Sequence, residues 1–297
     1  MINAIQQLEW FRKNILYKDI DHTYTYIPTN TPLISATTLL KKYSKPFRDD
    51  YWSVYKCLQQ SGNDVKSDFH KDVNKDHYLL NGDHIHYKMI SNDYFTDIIN
   101  PDKLLEEWSY KKIIGTSRGT ILHNYLENKW MGKIYDDIPL DDSIIKKEDK
   151  DDFNNSIKQL KSQADKFISN HYHLIPIRLE IVLGCDKYKV AGQADALFFD
   201  SVTQQYHLYD YKTDKKIESS NQFEYFLEPL NYVQNCEFNK YCLQLSIYKY
   251  LIESKTDIRI SQSNIVWFNH NNDKYKIIPL IDRRNDIEKL LHHNIKT

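Results

Sequence analysis

The stretch KVAGQADALFFDSVTQQYHLYDYKT, Lys189 to Thr213, decides how the rest of the chain is read. Lys189 to Phe199 and Tyr206 to Lys212 are rich in apolar and aromatic residues, and the polar run Asp200 to Gln205 between them is a loop. Two consecutive strands joined as a hairpin are predicted. Residues two apart in a strand share a face, so Asp210 and Lys212 project the same way, and the hairpin sets Asp195 beside them. Asp-x-Lys is common by chance and also describes an ion pair on an exposed strand. Here Tyr206, Leu208, Tyr209 and Tyr211 make the strand otherwise apolar, and desolvating a carboxylate and an ammonium there is costly unless they have a use. Two carboxylates on adjacent strands suit a hard divalent cation, and a lysine one pleat further can meet an attacking water or a phosphate oxygen. Phosphodiester hydrolysis requires such a set.

Working outward, Ile177 to Leu183 is a third strand just upstream. Downstream, a helix is predicted over about Phe238 to Ile252, followed by a hairpin of Ile265 to Phe268 and Tyr275 to Leu280 around Asn271-Asn272-Asp273 and a helical tail from Asn285. Before the strands, Trp108 to Trp130 reads as a helix around Gly115 and Gly119. Phe153, Ile157, Leu160, Ala164 and Phe167 stripe a second helix, with the acidic run Asp136 to Asp152 as connector. At the start, Ala4, Leu8, Phe11 and Ile15 fall on one helical stripe and Asp21 to Ile27 alternates as a short strand. Ser35 sits where a helix cap belongs, and Pro46 ends a basic run of Lys41, Lys42 and Lys45 able to face phosphate. Ser61 to Asp76 is a polar loop, and Asn81-Gly82 between Tyr78-Leu79-Leu80 and Ile85 to Met89 marks a tight hairpin. The fold class is therefore α/β (α+β), a central mixed sheet flanked by helices.

The 297 residues, 41% hydrophobic and 27% charged, suffice for one substantial core or two small ones. Lys plus Arg number 40 against 41 Asp plus Glu, so any anionic ligand must be drawn by local charge. Four scattered cysteines, Cys57, Cys185, Cys236 and Cys242, make no disulfide framework, and a reducing cytoplasm is the expected compartment. The sequence carries no apolar run long enough to span a membrane and none that reads as a secretory signal.

Two further clusters carry polar chemistry. Gly119, His123 and Glu127 fall at i, i+4 and i+8 on one helical face, where the imidazole is either a metal ligand or a satisfied core group. Gln244 and Tyr248 lie one turn apart on an apolar helix, where they either hold a phosphate or simply pack. His77, His84 and His86 flank the Asn81-Gly82 turn without a cysteine or acidic partner strand, and are read as a surface hairpin.

In order and content these elements resemble the PD-(D/E)xK nuclease superfamily, specifically its RecB-like branch, which includes phage exonucleases and the mitochondrial genome maintenance exonuclease. The G-x-x-x-H-x-x-x-E pattern falls at Gly119, His123 and Glu127, G-x-x-D at Gly192 and Asp195, D-x-K-T at Asp210, Lys212 and Thr213, and Q-x-x-x-Y at Gln244 and Tyr248. The resemblance covers roughly Gly115 to Tyr250, and Asp210 stands where many members carry Glu. It implies a restriction-endonuclease-like core over 111–297, with a helical and β-hairpin region over 1–110 as a DNA-channel or accessory part. By the same resemblance His123, Asp195, Asp210 and the Tyr211 carbonyl are ligands of Mg²⁺ or Mn²⁺, and Lys212 is the catalytic lysine. Glu180 is either a further ligand or a strand-edge carboxylate paired with Arg178 or a lysine. Gln244, Tyr248, Arg118, Thr213 and Ser35 are candidate substrate contacts, and Lys41, Lys42, Lys45, Arg48, Lys111, Lys112, Lys215 and Lys216 are candidate sources of local attraction. Some relatives add an iron-sulfur cluster, but Cys236 and Cys242 have no C-x-x-C nearby, so none is expected. The implied activity is a metal-dependent DNA exonuclease in phage replication, recombination or repair, with replication or recombination proteins as partners. A structure-selective endonuclease and a catalytically silent DNA-binding module of the same fold are the alternatives.

Overall fold

A computed structural model describes residues 1–61, 100–133 and 144–296. Seven α-helices run through the described residues: α1 (Ile2–Asn14), α2 (Ala36–Lys42), α3 (Asp49–Ser61), α4 (Pro101–Trp130), α5 (Lys150–Asn170), α6 (Glu237–Lys255) and α7 (Arg284–Asn294). Eight strands among the same residues form one mixed sheet: β1 (Ile15–Lys18), β2 (Thr23–Tyr26), β3 (Thr31–Ser35), β4 (Leu174–Cys185), β5 (Val190–Asp200), β6 (Gln205–Lys212), β7 (Ile260–Trp267) and β8 (Lys276–Pro279). The expected central mixed sheet flanked by helices is the architecture observed.

Pairing around β5 positions everything of functional interest. One edge of β5 is occupied by β4 in an antiparallel ladder from Leu174↔Asp200 to Cys185↔Val190. The other edge is shared. β6 pairs with it antiparallel only from Ala196↔Tyr209 to Asp200↔Gln205, and β3 pairs with it parallel at Ile34↔Val190 and Ser35↔Ala191. Between those two partners the segment Gly192 to Asp195 has no ladder on that side, and the sheet forks there. Beyond the fork, β6 continues in parallel register with β7 and carries Asp210 and Lys212 past the point where it leaves β5.

Alternation along the strands builds a core on each face. Leu197 and Leu208 join Leu8 and Phe11 of α1, Leu39 of α2, Leu243 and Leu251 of α6 and Leu290 of α7. Ala196, Phe198, Tyr209 and Tyr211 point the other way, against Leu122 and Leu126 of α4 and Leu160, Ala164 and Phe167 of α5. The predicted stripe of α5 is therefore its buried face.

The chain divides into two compact units, Met1–Ser44 with Ser117–Thr297, and Lys45–Thr116. The first 44 residues thus belong with the sheet, whereas the sequence suggested a boundary near residue 110. The reason is β3, whose parallel pairing with β5 ties the N-terminal segment to strands far along the chain. In the smaller unit, Asp49–Ser61 is a helix that sequence patterning did not single out. Ile15, expected on the α1 stripe, is instead the first residue of β1, opposite Tyr26. The hairpin predicted around Asn81-Gly82, with His77, His84 and His86, lies outside the described residues, as do the polar loop Ser61 to Asp76 beyond residue 61 and residues 136–143 of the acidic connector. No helix among the described residues is long and apolar enough to cross a membrane.

The second core centres on Phe167, which is fully buried and ringed by Trp130, Tyr211, Phe268 and Tyr275 at centroid distances of 5.5–6.2 Å. Phe167→Ala leaves a cavity that rigid aromatic neighbours fill poorly, and stability falls by about 3–5 kcal/mol. Urea unfolding of the variant should show a lower midpoint at a near-constant slope.

Candidate functional site

Asp195 stands where β5 loses its ladder partner, and its carboxylate makes good the loss. Asp195 Oδ2 accepts the Tyr211 N–H at 2.6 Å, a donor that an unforked sheet would commit to a strand carbonyl. The other oxygen, Oδ1, lies 3.5 Å from His123 Nδ1, and His123 Nε2 is 3.0 Å from the Tyr211 carbonyl oxygen. Asp195, His123 and the Tyr211 peptide therefore close a ring across the fork.

Glu180 approaches from β4, between the pairs Leu179↔Ala196 and Ile181↔Ala194, and so faces Asp195 across the ladder. Its backbone is left-handed, φ 47°, within a strand. A non-glycine residue held so costs on the order of 1–3 kcal/mol, a strain that clusters at functional positions. Gln193 Nε2 donates to Glu180 Oε2 at 2.8 Å and holds the carboxylate in place. Arg178, a sequence candidate for pairing with Glu180, is instead paired with Glu9 at 3.3 Å. Of His123, Glu180 and Asp195, one ligand atom each lies within 4.8 Å of the others.

Asp210 and Lys212 are neighbours of that trio but lie outside it. Their side chains form an ion pair on one face of β6, as the two-residue spacing predicted, with Asp210 buried and Lys212 largely so. The Lys212 ammonium also sits 5.1 Å from the centre of the Tyr241 ring. The Tyr241 hydroxyl donates to Asp214 Oδ2 at 2.7 Å, and Trp267 Nε1 donates to the Asp214 carbonyl at 2.7 Å. This cradle was missed from sequence. Tyr241 falls within the Asn239 to Tyr248 stretch, but the signal that would have found it is its place one turn before Gln244 on the same helix.

The charges are mutually dependent. Burial alone would lower the His123 imidazole, but Asp195 and then Glu180 hold it up at about 9. Burial and the negative charge of Asp195 push Glu180 up to about 8. Burial raises Asp210 to about 6 against the pull of Lys212. Asp195 resists burial because His123, Lys212 and the Tyr211 N–H favour its charge, and it is held below the usual carboxylate range. Burial also acts to lower Lys212, but Asp210 and Asp195 outweigh it, so the ammonium stays charged. Two converging carboxylates and an imidazole, with the Glu180 carboxylate held largely protonated near neutrality, make a donor set suited to a divalent cation that relieves the repulsion. His123, Glu180 and Asp195 are the residues that would hold it.

The remaining candidates divide. Gln244 Nε2 donates to the Tyr248 hydroxyl at 2.9 Å, and both side chains are buried. Tyr248 lies over Gly192 so closely that a Cβ there would come within 2.4 Å of Tyr248 Cε1, which explains the glycine. This pair props the fork. Thr213 Oγ1 would lie 3.5 Å from a Cβ on Gly119, so the first residue of the helix motif packs against the last of the strand motif. Arg118 Nε donates to Ser156 Oγ at 2.8 Å and its guanidinium lies over Phe153, joining α4 to α5. Ser35 caps α2, its Oγ accepting the Thr38 N–H at 3.0 Å. Among the basic candidates, Lys42 donates to Asn294, Arg48 pairs with Asp50, Lys111 with Glu107 and Lys216 with Glu218. The four cysteines are free and buried.

No protein-family model and no curated protein matches the chain. Among solved structures, the crystal structure of SSO0001 aligns over 60% of this chain and 84% of its own at 12% identity, with a TM-score of 0.26. A likeness of that size bears on neither fold nor function.

If the trio holds a cation, Mn²⁺ or Mg²⁺ raises the melting temperature of metal-free protein, by the equivalent of about 2.7 kcal/mol at a hundred times Kd. Asp195→Ala removes the shift. Because Glu180 and His123 hold protons up to about pH 8 and 9, binding near neutrality must expel them and weakens as pH falls through that range. Calorimetry in buffers of differing ionisation enthalpy reads the released protons.

Proposed function

We propose that this chain is a divalent-metal-dependent deoxyribonuclease of the PD-(D/E)xK kind, RecB-like in its motif order, and that it trims DNA from free ends. The observation that carries the reading is the convergence, at the fork of one sheet, of His123, Glu180 and Asp195 with the Asp210–Lys212 ion pair alongside. Four sequence motifs that are scattered along the chain supply His123, Asp195, the Asp210–Lys212 pair and the Gln244–Tyr248 prop behind them, and β4 adds Glu180.

The chain's own residues divide the work of phosphodiester hydrolysis. When bound by the trio, Mg²⁺ or Mn²⁺ supplies Lewis-acid polarisation of a phosphoryl oxygen. Lys212, kept charged by Asp210, donates hydrogen bonds toward the attacking water and the phosphate, where negative charge accumulates in the transition state. The Tyr241 ring and the Asp210 carboxylate restrict the ammonium to one region, so that little reorganisation is needed as the reaction proceeds. Asp195 is tied to the Tyr211 N–H and is thereby aimed before any ligand arrives. Tyr248 and Gly192 close the back of the fork and keep it from refilling with strand pairing.

End-labelled single- and double-stranded DNA incubated with Mg²⁺ or Mn²⁺ should be shortened by the wild type. Asp195→Ala and Lys212→Ala should each lower the rate by at least about 10²–10³, the usual loss when one electrostatic contributor is removed. Wild-type protein that binds DNA but leaves every substrate intact with either ion would identify a silent binding module. Cutting of closed circles as readily as linear molecules would make it an endonuclease.

A further inference from the structure

Residues 213–236, which leave the sheet directly after Lys212, form a strap held in place at many points. At its root, Trp267 Nε1 and Asn269 Nδ2 donate to the carbonyls of Asp214 and Lys215. Further on, the Leu227 N–H donates to the Tyr43 carbonyl at 2.7 Å, and Phe226 is buried in the first core. The stretch between is fastened to the start of α6. Asn221 Nδ2 donates to the Asn235 carbonyl at 3.1 Å, the Asn235 N–H donates to the Glu224 carbonyl at 2.8 Å, and Tyr225 bridges to Gln234.

On this fastened strap Phe223 is 96% exposed, and Tyr225, two residues on, is 41% exposed. Single exposed apolar residues are ordinary at turns. Tyr172 and Val202 are of that kind, since they lie at the end of β4, β5 and β6 remote from Lys212. Phe223 is different because its surroundings are ordered by side-chain hydrogen bonds yet cover none of its ring, and because the strap begins at the candidate catalytic lysine. The acids near it are already engaged: Glu218 by Lys216, Glu224 by Asn221 and Asn235, Glu228 by Asn231.

Distance along the fold sets the scale. Cys236, the N-cap of α6, is about 7.5 Å of helix rise from Tyr241, whose ring lies under Lys212. Phe223 is two residues, at most about 7 Å, from the residue that bonds to Asn235. Summed through the Asn235 to Glu224 hydrogen bond, with both aromatic side chains included, the path puts its ring within about 35 Å of the ammonium, an upper bound that a short single strand spans.

We propose that Phe223, with Tyr225 beside it, is a stacking platform for unpaired bases of the DNA strand that enters the fork, making a single-stranded end the preferred substrate. This rests on the nuclease reading above and narrows its substrate. A ring fixed in position before binding gains the stacking contact without an ordering cost, and stacking accepts any base.

The test uses full-length protein and duplexes with a short single-stranded overhang containing 2-aminopurine. In a Lys212→Ala background, which keeps the DNA intact, binding should quench the 2-aminopurine fluorescence. Adding Phe223→Ala should abolish the quench and weaken Kd about 5- to 150-fold, and Phe223→Trp should restore both. In the otherwise wild-type enzyme the loss from Phe223→Ala falls on KM for overhang substrates and spares blunt duplexes. Phe223→Leu separates stacking from apolar contact, since it should behave as the alanine variant does. Unchanged quench, Kd and KM in Phe223→Ala, in a protein that still digests DNA, would overturn the platform and leave the nuclease reading standing. Wild-type protein that neither binds nor cuts DNA would overturn both.

Discussion

A single hydrogen bond, from the Tyr211 N–H to the Asp195 carboxylate, stands at the place where the sheet stops being a sheet. Strands that separate inside a protein leave donors and acceptors that must be satisfied, and an unsatisfied buried amide costs on the order of 1–3 kcal/mol. Here a side chain takes over from the backbone. The substitution stands just beyond the last β5–β6 pair, Ala196↔Tyr209, holds Asp195 ionised despite burial, and presents its second oxygen to His123. Each of the other polar groups is placed by reference to this junction: Glu180 across the β4 ladder, Lys212 on the departing end of β6, Tyr248 over the glycine at the other end of the gap.

Polar density of this kind is tolerated because the surroundings are rigid. The fork lies between two apolar cores, one on each face of the sheet, and Tyr211 belongs to one of them while its peptide serves the site. Aromatic side chains contribute much of the stiffness, which suits a chain with 23 tyrosines and 7 glycines. Glycine remains where bulk is excluded, as at Gly192 beneath Tyr248.

Much of the core was legible in sequence because its elements are long and strongly patterned. The three strands around Gly192-Gln193-Ala194-Asp195, the α5 stripe and the final hairpin all follow from period and turn chemistry. Short elements were harder. β1 and β3 are 4 and 5 residues long, too brief for a period to show, and Ile15 satisfies a helical stripe as well as it does a strand. The site was legible in part. Spacing placed Asp210 and Lys212 on one face, and the motif order grouped His123 and Asp195 with Asp210 while leaving Glu180 open, whereas it is Glu180 that converges with His123 and Asp195 and Asp210 that pairs with Lys212. What spacing does not carry is the company each group keeps: that Arg118 joins α4 to α5 through Ser156, that Tyr248 lies over Gly192, and that Tyr241 lies under the lysine. Those depend on approaches between segments distant in the chain.

The parallel contact of β3 with β5 has a bearing on synthesis. Ser35 meets Ala191, so the N-terminal strands wait for their partner while more than half of the polypeptide is still to be made. At about 5–20 residues per second that delay is on the order of 10–30 s. During it the β1–β3 meander exposes an unpaired edge, open to other chains, and the acidic and basic groups of the fork have no common location. Until β5 is made, a nascent chain therefore carries no assembled fork, and the edge of its N-terminal strands stays open through the same interval.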